Sequence, residues 1–129
     1  MIAVIFEVVP HADRRQNYFE AANALRAHLD GIDGFLSIER FESLTNPGKI
    51  LSLSFWRDEE AVRQWRNFEP HRSIQKAGRE VIFADYRLRV ATVIRDYGLE
   101  DRDEAPTDSR HAHRHSRRQV RRDRGACRR

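Results

Sequence analysis

Cysteine, long apolar runs and glycine-rich loops are scarce or missing in this sequence, and each absence excludes a class of protein. The one cysteine, Cys127, cannot form a disulfide within the chain and fits a reducing compartment. No run is long and apolar enough to span a membrane, and no signal-peptide pattern comes before the first strand-like run. No glycine-rich phosphate loop indicates a nucleotide or flavin site. We therefore expect a cytoplasmic protein that has no membrane partner.

The net charge of +4 is carried by the C-terminal end of the chain. Residues 1–98 hold fourteen basic and fourteen acidic side chains, whereas residues 99–129 hold ten arginines and six acids. The excess charge is therefore no evidence of a nucleic-acid surface on the rest of the chain. We predict one folded domain over residues 1–98 and a disordered Arg/His-rich tail over residues 99–129.

Two patterns in the tail have weak binding interpretations. His111, His113 and His115 alternate, so in an extended chain they would face one way and could hold zinc or nickel loosely. The basic run at residues 117–122 could contact RNA or an anionic lipid, but no aromatic residues are interleaved with it. A solvated, flexible end is the alternative for both patterns, and we predict no nucleic-acid partner.

The predicted elements follow the order β-α-β-β-α-β, with the second helical segment divided in two. This order is that of the ferredoxin-like α+β fold, a four-stranded antiparallel sheet with helices on one face. A bulge near residues 39–40 is expected, because Phe41 falls out of phase with Leu36 and Ile38. The predicted strands cover residues 2–9, 35–43, 50–56 and 84–97, and the first helix covers residues 14–29.

The sheet face away from the helices carries apolar residues from several strands. Left in water, it would be a large exposed apolar patch, and pairing with a second copy would bury it. The sequence therefore predicts a homodimer with the architecture of a dimeric α/β barrel. Glu7 is unusual within the apolar first strand, and we expect an arginine of the last strand to pair with it.

Residues 55–80 hold both tryptophans and the junction between two short helices. Asp58 is placed to cap the first of these helices, and Pro70 suits the first turn of the second. Trp65 then lies on one helix and His71 on the other, close to the point where the two helices meet. We expect a pocket at this junction.

The same stretch resembles the antibiotic biosynthesis monooxygenase (ABM) domain family. The likeness is carried by Phe55-Trp56 followed by Trp65, and by the segments PHRSIQKAGRE and YRLRVATVIRDYG, and it covers about residues 1–98. The resemblance implies small dimeric α+β barrels. They include cofactor-free monooxygenases that oxidise polycyclic phenols to quinones, haem-degrading oxygenases, and members with no demonstrated activity.

The resemblance also implies site residues. The quinone-forming branch uses Asn, Trp, Arg and Tyr around a hydrophobic pocket; Trp65 matches, and Asn67, Tyr86 and Arg87 are substrate-binding candidates. Phe68, on the same helix face as Trp65, is added to them. 

The haem-degrading branch shares the tryptophan at Trp65 but departs elsewhere. It has an asparagine where this chain has Phe6-Glu7, and its haem-ligating histidine falls on Gln75. Haem is therefore the less favoured cofactor, and we predict that the protein uses none, with no metal site.

Each candidate has an alternative interpretation. Trp65 either stacks on an aromatic substrate or packs in the core under its helix. His71 either takes the proton of a phenol, as a base titrating near 6.5, or faces water in the first turn of its helix. Arg87 either stabilises an oxyanion or pairs with an acid, and Tyr86 has a packing interpretation.

The sequence thus predicts a monooxygenase that oxidises a small aromatic or polycyclic compound without flavin or metal, with Trp65 and His71 as its catalytic residues. The alternative is a non-catalytic dimeric barrel that binds a small hydrophobic ligand or haem.

Overall fold

The structure, a computed structural model, describes residues 1–109. Within this range the chain divides into two units, one covering Met1–Val93 and the other beginning at Ile94. Four strands and three α-helices of the described residues belong to the first unit. Their bounds are Ile2–Pro10 (β1), Arg15–Leu29 (α1), Phe35–Glu42 (β2), Ile50–Trp56 (β3), Glu59–Asn67 (α2), Glu69–Ala77 (α3) and Phe83–Thr92 (β4).

The four strands form one sheet in the order β2-β3-β1-β4, and every neighbouring pair is antiparallel. This confirms the predicted ferredoxin-like α+β fold. β1 lies between β3 and β4, which explains why its sequence is apolar at nearly every position. β2 and β4 are the two edge strands.

Two details of the sheet differ from the prediction. The irregularity in β2 lies between Phe35 and Ser37, not at residues 39–40. Leu36 is therefore the extra residue, and Phe41 falls on the opposite face from Ile38 without a further bulge. β4 ends at Thr92, five residues before its predicted end at Tyr97.

The divided helical segment forms as predicted, for local reasons. The side chain of Asp58 accepts a hydrogen bond of 2.9 Å from the backbone N–H of Ala61 and so caps α2. Phe68 is extended and separates α2 from α3, and Pro70 stands in the first turn of α3. A π-helical turn over Gly78–Ile82 then joins α3 to β4.

The buried core of the first unit forms two clusters at opposite ends of the sheet. Ile2, Leu29, Trp56 and Ala61 make one cluster. The other consists of Val8, Tyr18 and Ile50. Since both clusters include a residue of β1, the middle of this strand, between Ile2 and Val8, is flanked by packed core on either side. A space remains there, and it is described below.

The sheet face away from the helices combines apolar and charged groups. Glu7 lies on it and forms ion pairs with Lys49 at 3.5 Å and with Arg89 of β4 at 3.4 Å. The second contact confirms the predicted partner of Glu7. Leu53 and Phe55 of β3 lie on the same face, because they alternate with serines that face the helices.

The second unit is described from Ile94 to residue 109. The carboxylate of Glu104 accepts a hydrogen bond of 2.7 Å from the backbone N–H of Asp96, and the guanidinium of Arg102 lies 5.0 Å from the ring centre of Tyr97. The domain boundary at residue 98 stays a prediction. The tail histidines at 111, 113 and 115 and the basic run at 117–122 lie outside the described residues. None of the helices in the described part has the length and apolar character needed to cross a bilayer.

Candidate active site

A cavity of about 310 Å³ lies between the helices and the sheet, inside the first unit. Its floor is the middle of the sheet, where Val4 and Phe6 of β1 face the helices. The space exists because small side chains occupy inward positions that larger residues would fill. Those residues are Ala21 and Ala22 on α1, Ser52 and Ser54 on β3, and Gly78 after α3. A volume of this size suits a small organic ligand.

An aromatic stack forms the wall at the junction of α2 and α3. The imidazole of His71 lies on the indole of Trp65, with ring centres 4.5 Å apart and planes inclined by 28°. Phe68 stacks on the same indole at 5.7 Å, and Trp56 lies at 6.4 Å. The indole N–H of Trp56 already has a partner, because it donates a hydrogen bond of 2.9 Å to the hydroxyl of Ser54. The indole N–H of Trp65 makes no hydrogen bond to any residue in the described range, so it is available to a ligand.

His71 is neutral at physiological pH. Burial lowers the pKa of His71 to about 4, and the nearby backbone carbonyl of Trp65 opposes this only in part. Its Nδ1 is buried and has no hydrogen-bond partner within residues 1–109. The prediction of a base titrating near 6.5 is therefore wrong, and so is the alternative of a histidine facing water. The ring is instead a weakly basic, polar group within an apolar wall.

A second aromatic group forms the wall near β4. The rings of Phe6, Phe83 and Tyr86 lie within 5.7–5.9 Å of one another. Gly78 lies against this group, and a Cβ at its position would come within 2.6 Å of the Phe83 ring. The π-helical turn thus brings backbone and ring into a contact that only glycine allows.

A polar pair on β2 and β3 lines one part of the cavity. Arg40 of β2 lies directly opposite Ser52 of β3 in the antiparallel register, and both line the space. The Nε of Arg40 is buried and has no hydrogen-bond partner among the residues that the structure describes. Arg66 and Arg79 are exposed and border the cavity. No aspartate or glutamate is found among its described lining residues.

The structure brings three of the six predicted site residues to the cavity and leaves three outside its lining. Trp65, His71 and Tyr86 line it. Phe68 contacts it only through Trp65. Asn67 is exposed, because a residue two positions after Trp65 points to another side of the helix.

Arg87 is the third residue outside the lining. Since successive strand residues face opposite ways, Arg87 and Tyr86 cannot both reach the cavity. Arg87 lies opposite Glu7 in register, on the sheet face away from the helices.

Sequence reasoning missed Arg40 and Ser52. The signal was available in part, since Ile38 and Arg40 alternate in phase with the inward face of β2. The bulge assigned to residues 39–40 hid this alternation, and the true bulge at Leu36 restores it.

The residues present do not fit the haem site implied by the resemblance. Gln75, which stands in the place of the haem-ligating histidine, lines the cavity and offers only an amide. His71 is the one histidine among the described lining residues, and it stands four positions before Gln75.

A divided second helix over an antiparallel sheet, with a tryptophan-walled cavity between them, defines a small ferredoxin-like α+β domain with a ligand-sized cavity. The family model for antibiotic biosynthesis monooxygenase matches residues 1–77. The chain belongs to this family. The match ends at the last residue of α3, so β4 lies outside it.

Two curated relatives each match 93 residues of the chain. The jasmonate monooxygenase ABM of Pyricularia oryzae is 46% identical over 93 residues, which are 72% of this chain and 43% of the relative. The chain thus spans less than half the length of that protein. The uncharacterised protein YqjZ of Bacillus subtilis is 30% identical over 93 residues, which are 79% of its length.

Solved structures share the fold. Rv0793 from Mycobacterium tuberculosis superposes with a TM-score of 0.67 at 18% identity, covering 75% of this chain and 98% of that one. A candidate antibiotic biosynthesis monooxygenase from Deinococcus radiodurans superposes with a TM-score of 0.68 at 14% identity. The superposition covers 76% of this chain and 97% of that one. At these identities the likeness extends to the fold alone.

Proposed function

We propose that this protein is a monooxygenase that oxidises a small aromatic or polycyclic phenol to a quinone in the cavity beneath α2 and α3, without flavin or metal. The observation that carries the proposal is the stack of His71 on Trp65 at 4.5 Å, in the wall of a cavity of about 310 Å³. Membership of the family and the monooxygenase name of the Pyricularia relative support the reaction class.

The chemistry balances with substrate and oxygen alone. An anthrone-type phenol loses two hydrogens from its ring methylene and gains one oxygen atom of O₂ there as a carbonyl. The second oxygen atom leaves as water with those two hydrogens. The substrate supplies all four electrons, so the proposal needs no separate reductant.

Trp65 and His71 have different roles in this proposal. The indole face and the phenylalanine and tyrosine rings of the opposite wall hold the flat substrate, and the free indole N–H donates to its oxygen. Neutral His71 accepts a hydrogen bond from the phenol hydroxyl. With a pKa of about 4, it polarises that O–H bond but holds the transferred proton only weakly. The low dielectric of the apolar wall strengthens this hydrogen bond.

The proposed active form is a homodimer. Leu53 and Phe55 lie on the sheet face away from the helices, and Phe41 of the edge strand on that face is 43% exposed. A second copy of this face would cover these side chains. The Glu7 ion pairs would then lie within the interface, where loss of one partner is costly.

A non-catalytic barrel that binds a hydrophobic ligand is the second candidate function. The weak basicity of His71 and the position of Asn67 outside the cavity favour it, because both remove groups that the quinone-forming chemistry would use.

Oxygen uptake separates the two functions. With an anthrone-type phenol, the wild-type protein should consume oxygen faster than a blank without protein, and Trp65→Phe should reduce the difference about tenfold, since it removes the N–H donor. His11→Gln, at an exposed histidine, is the matched control for His71→Gln. Binding of the phenol without oxygen uptake would establish the second function. A shift of the Soret band when haem is added to the protein would contradict the cofactor-free proposal.

A further inference from the structure

We infer that the cavity is built for an anionic ligand, and that Arg40 together with Ser52 binds the carboxylate of an aromatic acid. This names the substrate class of the proposed function and rests on that function for the use of the cavity. It concerns a different part of the wall from the Trp65–His71 stack.

The unpaired state of Arg40 supports an anionic ligand. No carboxylate in residues 1–109 forms an ion pair with Arg40. By contrast, Glu7 on the other face of the sheet forms ion pairs with both Lys49 and Arg89. The Nε of Arg40 is buried without a hydrogen-bond partner. An unsatisfied buried donor on a charged group carries a substantial penalty, which a ligand acceptor would relieve as the side chain turns toward it.

The charge of the whole cavity also supports an anionic ligand. Its described lining contains Arg40, Arg66, Arg79 and a neutral histidine, and no acidic residue. A cationic ligand would therefore meet only like charge, and a neutral one would leave the positive charge of Arg40 uncompensated. An anion is the ligand charge that these residues complement.

The placement of polar and apolar groups along the sheet supports an amphipathic ligand. Cross-strand register aligns Arg40, Ser52, Phe6 and Leu88 in a single row across β2, β3, β1 and β4. With neighbouring strands about 4.8 Å apart, this row spans roughly 14 Å from its polar end to its apolar end. The polar pair is at one end, and the rings of Phe6 and Tyr86 are at the other. An amphipathic acid matches this order.

The guanidinium favours carboxylates over other acceptors. Its planar fork can donate two parallel hydrogen bonds to one carboxylate, and the hydroxyl of Ser52 can donate a third. Lysine at the same place would supply charge without the fork.

The test is calorimetric titration with two matched probes, 2-naphthaleneacetate and its neutral primary amide. They have the same ring system and nearly the same size. The wild-type protein should bind the acid roughly ten- to a hundredfold more tightly than the amide. Arg40→Met should abolish this preference and leave the affinity for the amide unchanged. Arg40→Lys should retain part of it. Arg26→Met, at an exposed arginine that does not line the cavity, is the control and should behave as wild type.

Several results would overturn the inference. They are equal affinity of the wild type for acid and amide, failure of both to bind, and a preference that survives Arg40→Met but is lost in Arg66→Met or Arg79→Met. Circular dichroism excludes misfolding of the Arg40 variants, and Arg40→Lys keeps the test valid if Arg40→Met does not fold. Because binding is measured without turnover, the outcome is independent of oxygen uptake. A preference for the acid without oxygen uptake would refute the proposed function alone.

Discussion

The imidazole of His71 lies on the indole of Trp65 with ring centres 4.5 Å apart, although the two residues belong to different helices. The contact depends on the break at Phe68, which turns the chain between α2 and α3. One continuous helix would place residues six apart about 120° from each other around the helix axis, on different faces. The divided helix is therefore what creates the wall of the cavity.

The stack makes a prediction about stability and pH. The pKa of His71 is lowered in the folded protein, so between about 6.5 and 4 the unfolded chain takes up a proton that the folded chain refuses. The contribution of His71 to stability is therefore complete above pH 6.5 and is lost as the pH falls toward 4. The urea concentration at the unfolding midpoint should decrease as the pH is lowered from 7.5 to 4.5. This decrease should be smaller in His71→Gln than in the wild type.

His11→Gln is the control for this measurement, because His11 is exposed and outside the cavity. It should keep the wild-type slope. An identical pH dependence in His71→Gln and the wild type would show that His71 is not buried as described.

Gly78→Ala should destabilise the protein by about 1–3 kcal/mol, because a Cβ there would come within 2.6 Å of the Phe83 ring and force the ring or the turn to move. Thermal unfolding measures the change. Gly98→Ala is the matched control, since a Cβ at Gly98 meets nothing within 4 Å. Equal stability of the two variants would contradict the close contact at the π-helical turn.

The proposed dimer predicts a mass of twice 15.2 kDa in solution. Leu53→Asp should shift the protein to the monomer, because it places a charge on the central strand of the proposed interface. Leu44→Asp makes the same change at a fully exposed leucine and should leave the dimer intact. Size-exclusion chromatography with light scattering measures both. A monomeric wild type would refute the dimer.

The sequence was sufficient for the fold because its signals are local. The cap at Asp58, the break before Pro70 and the alternation of Ser52 and Ser54 with leucines each depend on neighbours within a few residues. The site was predictable only in part. Helical spacing was enough to place Trp65 and His71 in the site. The place of Arg40 depends on the register of an edge strand, because one bulge reverses the face on which the following residues lie. Arg87 was mispredicted for a related reason. The resemblance gave the residue type, but it did not show on which face of the sheet the side chain lies.

The pKa of His71 was also beyond prediction from sequence. Its value depends on how completely α3 and the indole of Trp65 cover the ring, which is a property of packing. A histidine at this position indicated acid–base chemistry. Because packing buries the ring of His71, the imidazole is instead a neutral hydrogen-bonding group.

The most direct test of the central claim is oxidation of an anthrone-type phenol under ¹⁸O₂, with the product analysed by mass spectrometry. We predict one ¹⁸O atom in the new carbonyl of each quinone, formed faster than in a protein-free blank, with the rate reduced about tenfold in Trp65→Phe. His11→Gln should form labelled quinone at the wild-type rate. Labelled product at the rate of the blank, or at equal rates in the wild type and Trp65→Phe, would contradict the account.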